Sequence, residues 1–159
     1  MAQKRQLDRI DRQIVDILQK DARVTNKALA DSVGLAASTC LARVHRLVES
    51  GVIRGFHADV APEAVGFPLQ AIVFVQFQTH DAARVEKFNR ELRRRSEVLQ
   101  LFYLAGAQDL VVHVVAADVD HLREVVAKGI ASHPEVRHVE TNVVFEHRRS
   151  PVPLGAPAA

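Results

Sequence analysis

The chain has 159 residues, 48% of them hydrophobic and 25% charged, with a formal net charge of +2, a composition that suits one globular domain or two small ones. No run approaches the roughly 18 apolar residues of a membrane span, the polar start MAQKRQLDRIDRQ lacks the apolar core of a secretory signal, and the single cysteine, Cys40, excludes a disulfide framework. A cytoplasmic protein without membrane association is expected. Charge is unevenly spread, with 10 Lys/Arg against 7 Asp/Glu in residues 1–60 and 11 against 12 in residues 61–159. An excess this modest permits polyanion binding only through a local patch or a multimer.

In chain order, hydrophobic spacing is helical as far as residue 60. In LDRIDRQIVDILQKD, Ile10, Ile14, Ile17 and Leu18 recur at i, i+4, i+7 and i+8 and predict an amphipathic helix. Asp8 suits its N-cap, and Asp11 its first turn, where the helix dipole favours a carboxylate. A second helix follows Thr25, buries Leu29 and Val33, and stops at Gly34, a residue suited to the left-handed position after a helix end. Three residues on, a third helix begins. Leu41, Val44, Leu47 and Val48 form its expected buried side; Ser38, Thr39, Ala42, Arg43, His45, Arg46 and Glu49 form the other. VIRGFHADV then reads as a strand or wing-like arm, and APEAVGFP as a linker with one short helical turn.

After residue 68 strands appear. LQAIVFVQFQ, VLQLFYLAG, DLVVHVVAA and VRHVETNVVFEH are rich in Val, Ile, Phe and Tyr. Val85, Phe88 and Leu92 mark a helix between the first two, and Leu122, Val125, Val126 and Ile130 another between the last two. The order β-α-β-β-α-β is the split βαβ pattern of ferredoxin-like domains. The expected fold is α+β: a winged helix-turn-helix domain in residues 1–60, a linker at 61–67, a βαββαβ domain at 68–147, and a Pro-rich tail at 148–159 whose composition predicts disorder. Ala71–Val75, Leu101–Leu104 and Leu110–Val115 are apolar toward both faces, His113 excepted. The helices cover one face, so the other needs a second copy of the chain or the N-terminal helices.

A helix, a three-residue turn and a second helix form the unit whose second helix enters the DNA major groove. Ser38 and Thr39 suit phosphates or base edges, and Arg43 and Arg46 suit guanine or phosphate. His45 shares that face, and Thr25 and Lys27 open the preceding helix. The alternative is a solvated charged face on a small bundle, and spacing alone leaves both open. No glycine-rich phosphate loop or metal-binding cluster is legible, so no catalytic residue, cofactor or metal is expected. Cys40 reads as a small core residue or a neighbour of a base. LAGAQDL, residues 104–110, is either a hairpin turn or a ligand loop that suits a small zwitterion.

These segments resemble the leucine-responsive and asparagine-responsive (Lrp/AsnC, feast–famine) transcriptional regulators. The likeness runs over residues 7–147 and is most specific at LDRIDRQIVDILQKDAR, LADSVGL and RVHRLVESGVIRGF. The resemblance implies a recognition helix at residues 37–49 with Ser38, Thr39, Arg43 and Arg46 toward DNA. It implies pairing of the C-terminal sheets into a homodimer, assembly to higher oligomers such as octamers, and an amino-acid effector bound between dimers. Tyr103, Gly106 and Asp109, with Leu104 and Gln108 beside them, would meet it from the loop, and Asn142, Val143 and Val144 from the last strand. The chain departs from the pattern at Ala36, where the family often has a capping Ser, and at Gly106–Leu110, where the loop's two aromatics are missing. The expected function is sequence-specific binding to a palindromic operator, modulated by an amino acid or similar metabolite. The rival is a metabolite-binding oligomer whose N-terminal helices engage protein.

Overall fold

The computed structural model describes residues 7–78 and 81–154. They form two compact units: residues 7–59 with 148–154, and residues 60–147.

The first unit contains α1 (Arg9–Lys20), α2 (Asn26–Val33) and α3 (Ala37–Glu49). Each start follows from local chemistry. Asp8 accepts the Asp11 N–H at 2.7 Å and caps α1; Thr25 accepts the Ala28 N–H at 3.2 Å and caps α2. Gly34, at φ 70°, ends α2 in the left-handed conformation that a side chain would resist. The helices close on Ile14, Val15, Leu29, Ala30, Cys40 and Leu47. On α3 the buried stripe is Cys40, Val44 and Leu47, which corrects the expected one. Leu41 and Val48 flank it and stay 46% and 41% exposed, whereas Cys40 is fully buried. The stripe keeps Val44, half-buried, and Leu47 but starts at Cys40 and runs at i, i+4 and i+7, because a cysteine is small enough to let α3 approach α1 and α2. Burial pushes the Cys40 thiol pKa up, with Arg43 opposing more weakly.

The expected arm, residues 52–60, is not part of any ladder among the described residues. The tail rejoins the first unit: Val152 is hydrogen-bonded to Gln19, and Leu154 packs against the helical core. Residues 155–159 lie outside the described residues.

The second unit opens with a short 3-10 turn (Pro62–Val65) and continues β1 (Leu69–Phe77), α4 (Ala82–Leu92), β2 (Val98–Tyr103), β3 (Leu110–Ala116), α5 (Val119–Val126) and β4 (Val136–Val143). α5 runs on into a π-turn, Ala127–Ala131, that buries Ile130 completely. The sheet is antiparallel in the order β2-β3-β1-β4, as the split βαβ pattern requires. On one face Val73, Val75, Val112 and Val114 meet Val85, Phe88, Leu92, Leu122 and Val125 from the helices. The other carries Gln70, Ile72, Phe74, Val111, His113 and Phe102, and Phe102 is exposed. There the His113 ring lies 3.0 Å from Gln70 Oε1 and 5.3 Å from the His147 ring. Burial, and then the neighbouring His147, lower the His113 pKa.

Phe88 is 1% exposed and stands edge-on to Phe77 with centroids 5.7 Å apart. Phe88→Ala therefore removes the largest buried wedge between α4 and the sheet. A loss of about 3–5 kcal/mol is expected, read as a lower urea midpoint by circular dichroism.

Candidate nucleic-acid interface and ligand loop

α3 is seated by polar ties at its start and along its middle. Near its start, Asn26 Nδ2 donates to the Ala37 carbonyl at 2.8 Å and Leu35 N–H to the Ala30 carbonyl at 3.0 Å, which fixes the turn. Further along, the Arg43 guanidinium donates to Asp8 at 2.6 Å and to Asp11 at 2.7 Å, while Arg46 lies 3.4 Å from Asp11. Asp11 is only 11% exposed and Arg43 22%, so this pairing is poorly hydrated and stronger than a surface pair. The Asp11 N–H, and next the Arg43 guanidinium, hold the Asp8 carboxyl below its usual range.

The structure thus divides the expected DNA-binding residues into two groups. Ser38, Thr39 and His45 are exposed on α3, as is Ala42. Thr25 and Lys27 are exposed at the start of α2, with the Thr25 hydroxyl already capping its helix. Arg46 keeps 41% of its side chain exposed. Arg43 stands apart, because its guanidinium ties α3 to the start of α1. Asp8 and Asp11 carry this role unforeseen; their local signals were a cap and a first-turn acid, and nothing nearby shows that an arginine 32 residues on would reach them. Ala36 gives α3 no side-chain cap, nor does Ser38 replace it, and the first N–H groups of the helix remain without such a partner.

The loop at residues 104–110 is built onto β1. Asp109 N–H donates to the Val75 carbonyl at 3.0 Å, the Asp109 carboxylate accepts the Phe77 N–H at 2.8 Å, and Leu104 N–H donates to the Asp109 carbonyl at 2.8 Å. Gln76 Nε2 reaches the Ala107 carbonyl at 3.0 Å. Tyr103, Leu104 and Gly106 are exposed, whereas Gln108 Oε1 is buried without a hydrogen-bond partner. Such a buried acceptor is uncommon, and no sequence pattern pointed to it.

Asn142, Val143 and Val144 lie elsewhere. Asn142 faces Ile72, Val143 faces Ala71, and Val144 N–H donates to the Gln70 carbonyl at 2.8 Å. Asn142 also donates to Glu140 at 3.1 Å. The loop sits at the far end of β1, about 13 Å along the strand from Val143 at ~3.3 Å per residue, and on its opposite side in the sheet order. Within one chain the two groups do not meet.

A family model for a winged helix-turn-helix DNA-binding domain matches residues 7–54, and one for the Lrp/AsnC ligand binding domain matches residues 70–152. The chain belongs to the Lrp/AsnC family. The HTH-type transcriptional regulator AldR of Mycobacterium tuberculosis is 44% identical over 149 residues, spanning 94% of this chain and 83% of the relative. A crystal structure of M. tuberculosis AldR superposes with a TM-score of 0.74 at 42% identity, covering 92% of this chain and 100% of that one. A Neisseria meningitidis transcriptional regulator, solved as an L-Met complex, superposes at 0.85 with 31% identity, covering 93% and 97%. This Lrp/AsnC chain is a transcriptional regulator with an N-terminal DNA-binding and a C-terminal ligand-binding domain.

Arg43→Ala leaves two carboxylates facing each other at the start of α1. A stability loss of about 1.5–3 kcal/mol is expected in urea titration. The pH dependence has a definite sign. Asp8's folded pKa lies below its unfolded value of about 3.9, so its contribution is complete above that value and vanishes as pH falls through the folded pKa. Acid titration below pH of about 4 should accordingly destabilise the parent chain more steeply than Arg43→Ala.

Proposed function

We propose that the regulator binds a palindromic operator as a homo-oligomer, and that an amino acid or similar small zwitterion changes its affinity by binding between copies. The observation that carries the DNA reading is the open face of α3: Ser38, Thr39 and His45 project from a helix whose arginine tie turns inward. In this reading Ser38, Thr39, His45 and Arg46 meet base edges and phosphates, Lys27 and the Thr25 region meet the backbone, and Arg43 sets the helix angle. Two recognition helices related by a two-fold axis would read half-sites about one helical turn apart.

The ligand reading rests on the split set. Tyr103, Leu104, Gly106, Gln108 and Asp109 lie at one end of the sheet and Asn142–Val144 at the other, so a ligand touching both groups needs more than one copy. The exposed apolar Phe102 and half-buried Ile72 and Phe74 on the second sheet face supply the surface for pairing. Gln108 Oε1 and the Asp109 carboxylate suit an ammonium group. The L-Met bound to the Neisseria regulator shows that a structurally similar protein takes an amino acid. A ligand tied to assembly shifts DNA affinity only if it favours one oligomeric arrangement over another. This is a regulator's role rather than an enzyme's, exercised in the cytoplasm where the operator is.

Mobility shift with the DNA upstream of its own gene, against unrelated competitor and with each common amino acid in turn, tests the reading. Arg46→Ala and His45→Ala are expected to weaken operator binding by about 1–3 kcal/mol each, His45→Ala without lowering stability and Arg46→Ala with a small stability loss from its Asp11 contact, and one or more amino acids to move the curve. Binding no tighter than to competitor DNA would favour the rival in which these helices dock on protein.

A further inference from the structure

The tail does not end where its composition suggests. Gln19, near the C-terminal end of α1, grips both backbone groups of a single residue: its Oε1 accepts the Val152 N–H at 2.7 Å and its Nε2 donates to the Val152 carbonyl at 3.2 Å. Of Pro151, Val152 and Pro153, only Val152 has an N–H to give. The flanking prolines already restrict the unbound segment, which lowers the cost of ordering it. Two residues on, Leu154 packs against the helical core that holds Ile14, Leu29 and Leu47. The outer side of α1 is thus a docking site for an extended, proline-flanked apolar segment, and its occupant is residues 151–154 of this chain.

Chain order gives this contact its meaning. The chain leaves the first unit after Asp59 and returns to it at Arg148. β4 ends at Val143, so only residues 144–150 separate the ligand-binding sheet from the docked segment. The family match to the ligand-binding domain runs on to residue 152, the residue that Gln19 holds. Asn142, Val143 and Val144, the strand half of the proposed ligand set, sit immediately before it.

We propose that residues 148–154 form a strap by which the ligand-binding domain grips the DNA-binding unit through α1, giving the two units a second covalent link and carrying the ligand's effect at Asn142–Val144 to the recognition helix. The docking stands on its own; the transmission rests on the ligand reading above. Docking so close in sequence keeps the local concentration of the segment high, so modest contacts suffice to hold it.

The test uses the full-length oligomer and three variants: Gln19→Ala, Leu154→Asp, and a chain stopped after Ser150. Trypsin cleavage after Arg148 and Arg149, and deuterium uptake by the C-terminal peptide, report docking without DNA or ligand. Losing the Gln19 clamp is expected to accelerate both about tenfold, the effect of one to two net hydrogen bonds. Parent-like rates in both Gln19→Ala and Leu154→Asp would overturn the docking. Protection that vanishes on dilution would place the segment on another copy and overturn the same-chain strap. For transmission, calorimetry with each amino acid is paired with operator binding. The shortened chain is expected to bind the same amino acid while losing most of its effect on DNA affinity. An undiminished effect would overturn transmission. If no amino acid binds the parent chain, the ligand reading and the transmission that rests on it both fail, whereas the docking result stands.

Discussion

The arrangement of the DNA-binding unit depends on one guanidinium. Arg43 lies between Asp8 and Asp11 at 2.6 and 2.7 Å, joining the middle of the recognition helix to the first turn of α1. A helical unit of this size has few buried side chains, and those it has are small or medium: Ile14, Val15, Leu29, Ala30, Cys40 and Leu47. Such a core holds helices together but leaves their rotation loosely specified. The charged tie is directional where packing is not. It fixes α3 so that Cys40 and Leu47 point inward, and Ser38, Thr39 and His45 remain open. Removing either partner leaves charge in a poorly hydrated place, so the tie specifies the geometry more than its net energy suggests.

The same tie explains what the sequence could and could not disclose. Helix starts were legible because Asp8, Thr25 and Gly34 act on atoms within a few residues. The βαββαβ order was legible because periods of two and 3.6 alternate along the chain, and the strand pairing follows from it. The face of α3 was misread because Leu41 and Val48 are more apolar than Cys40, and periodicity weighs residues by hydrophobicity alone. The ion pairs of Arg43 with Asp8 and Asp11 were hidden for a different reason. An arginine on a helix meant for DNA looks the same whether it points to phosphate or to a carboxylate 32 residues away in sequence. The tail shows the same limit: proline and small residues predict disorder, and only the position of Gln19 decides otherwise.

The ligand-binding domain shows a complementary separation. β1 is its central reference: the loop carrying Asp109 is bonded to Val75 and Phe77, and the end of β4 to Gln70. One strand therefore holds the loop and the end of β4 apart at a fixed distance. In the proposed reading, a ligand touching both groups bridges copies, which is how a small molecule can act on an assembly rather than on a single fold. The loop group carries the buried acceptor of Gln108, and Val143 and Val144 make the strand group apolar.

The central claim is that α3 reads DNA with its open face while Arg43 looks inward. The most direct measurement is photo-crosslinking from a photoreactive side chain placed in turn at positions 39, 43 and 45, in complex with operator DNA. Cross-links to bases from 39 and 45, and none from 43, are the predicted result. Efficient cross-linking from 43 with silence at 39 and 45 would mean that position 43 faces the DNA and that the helix docks by another face.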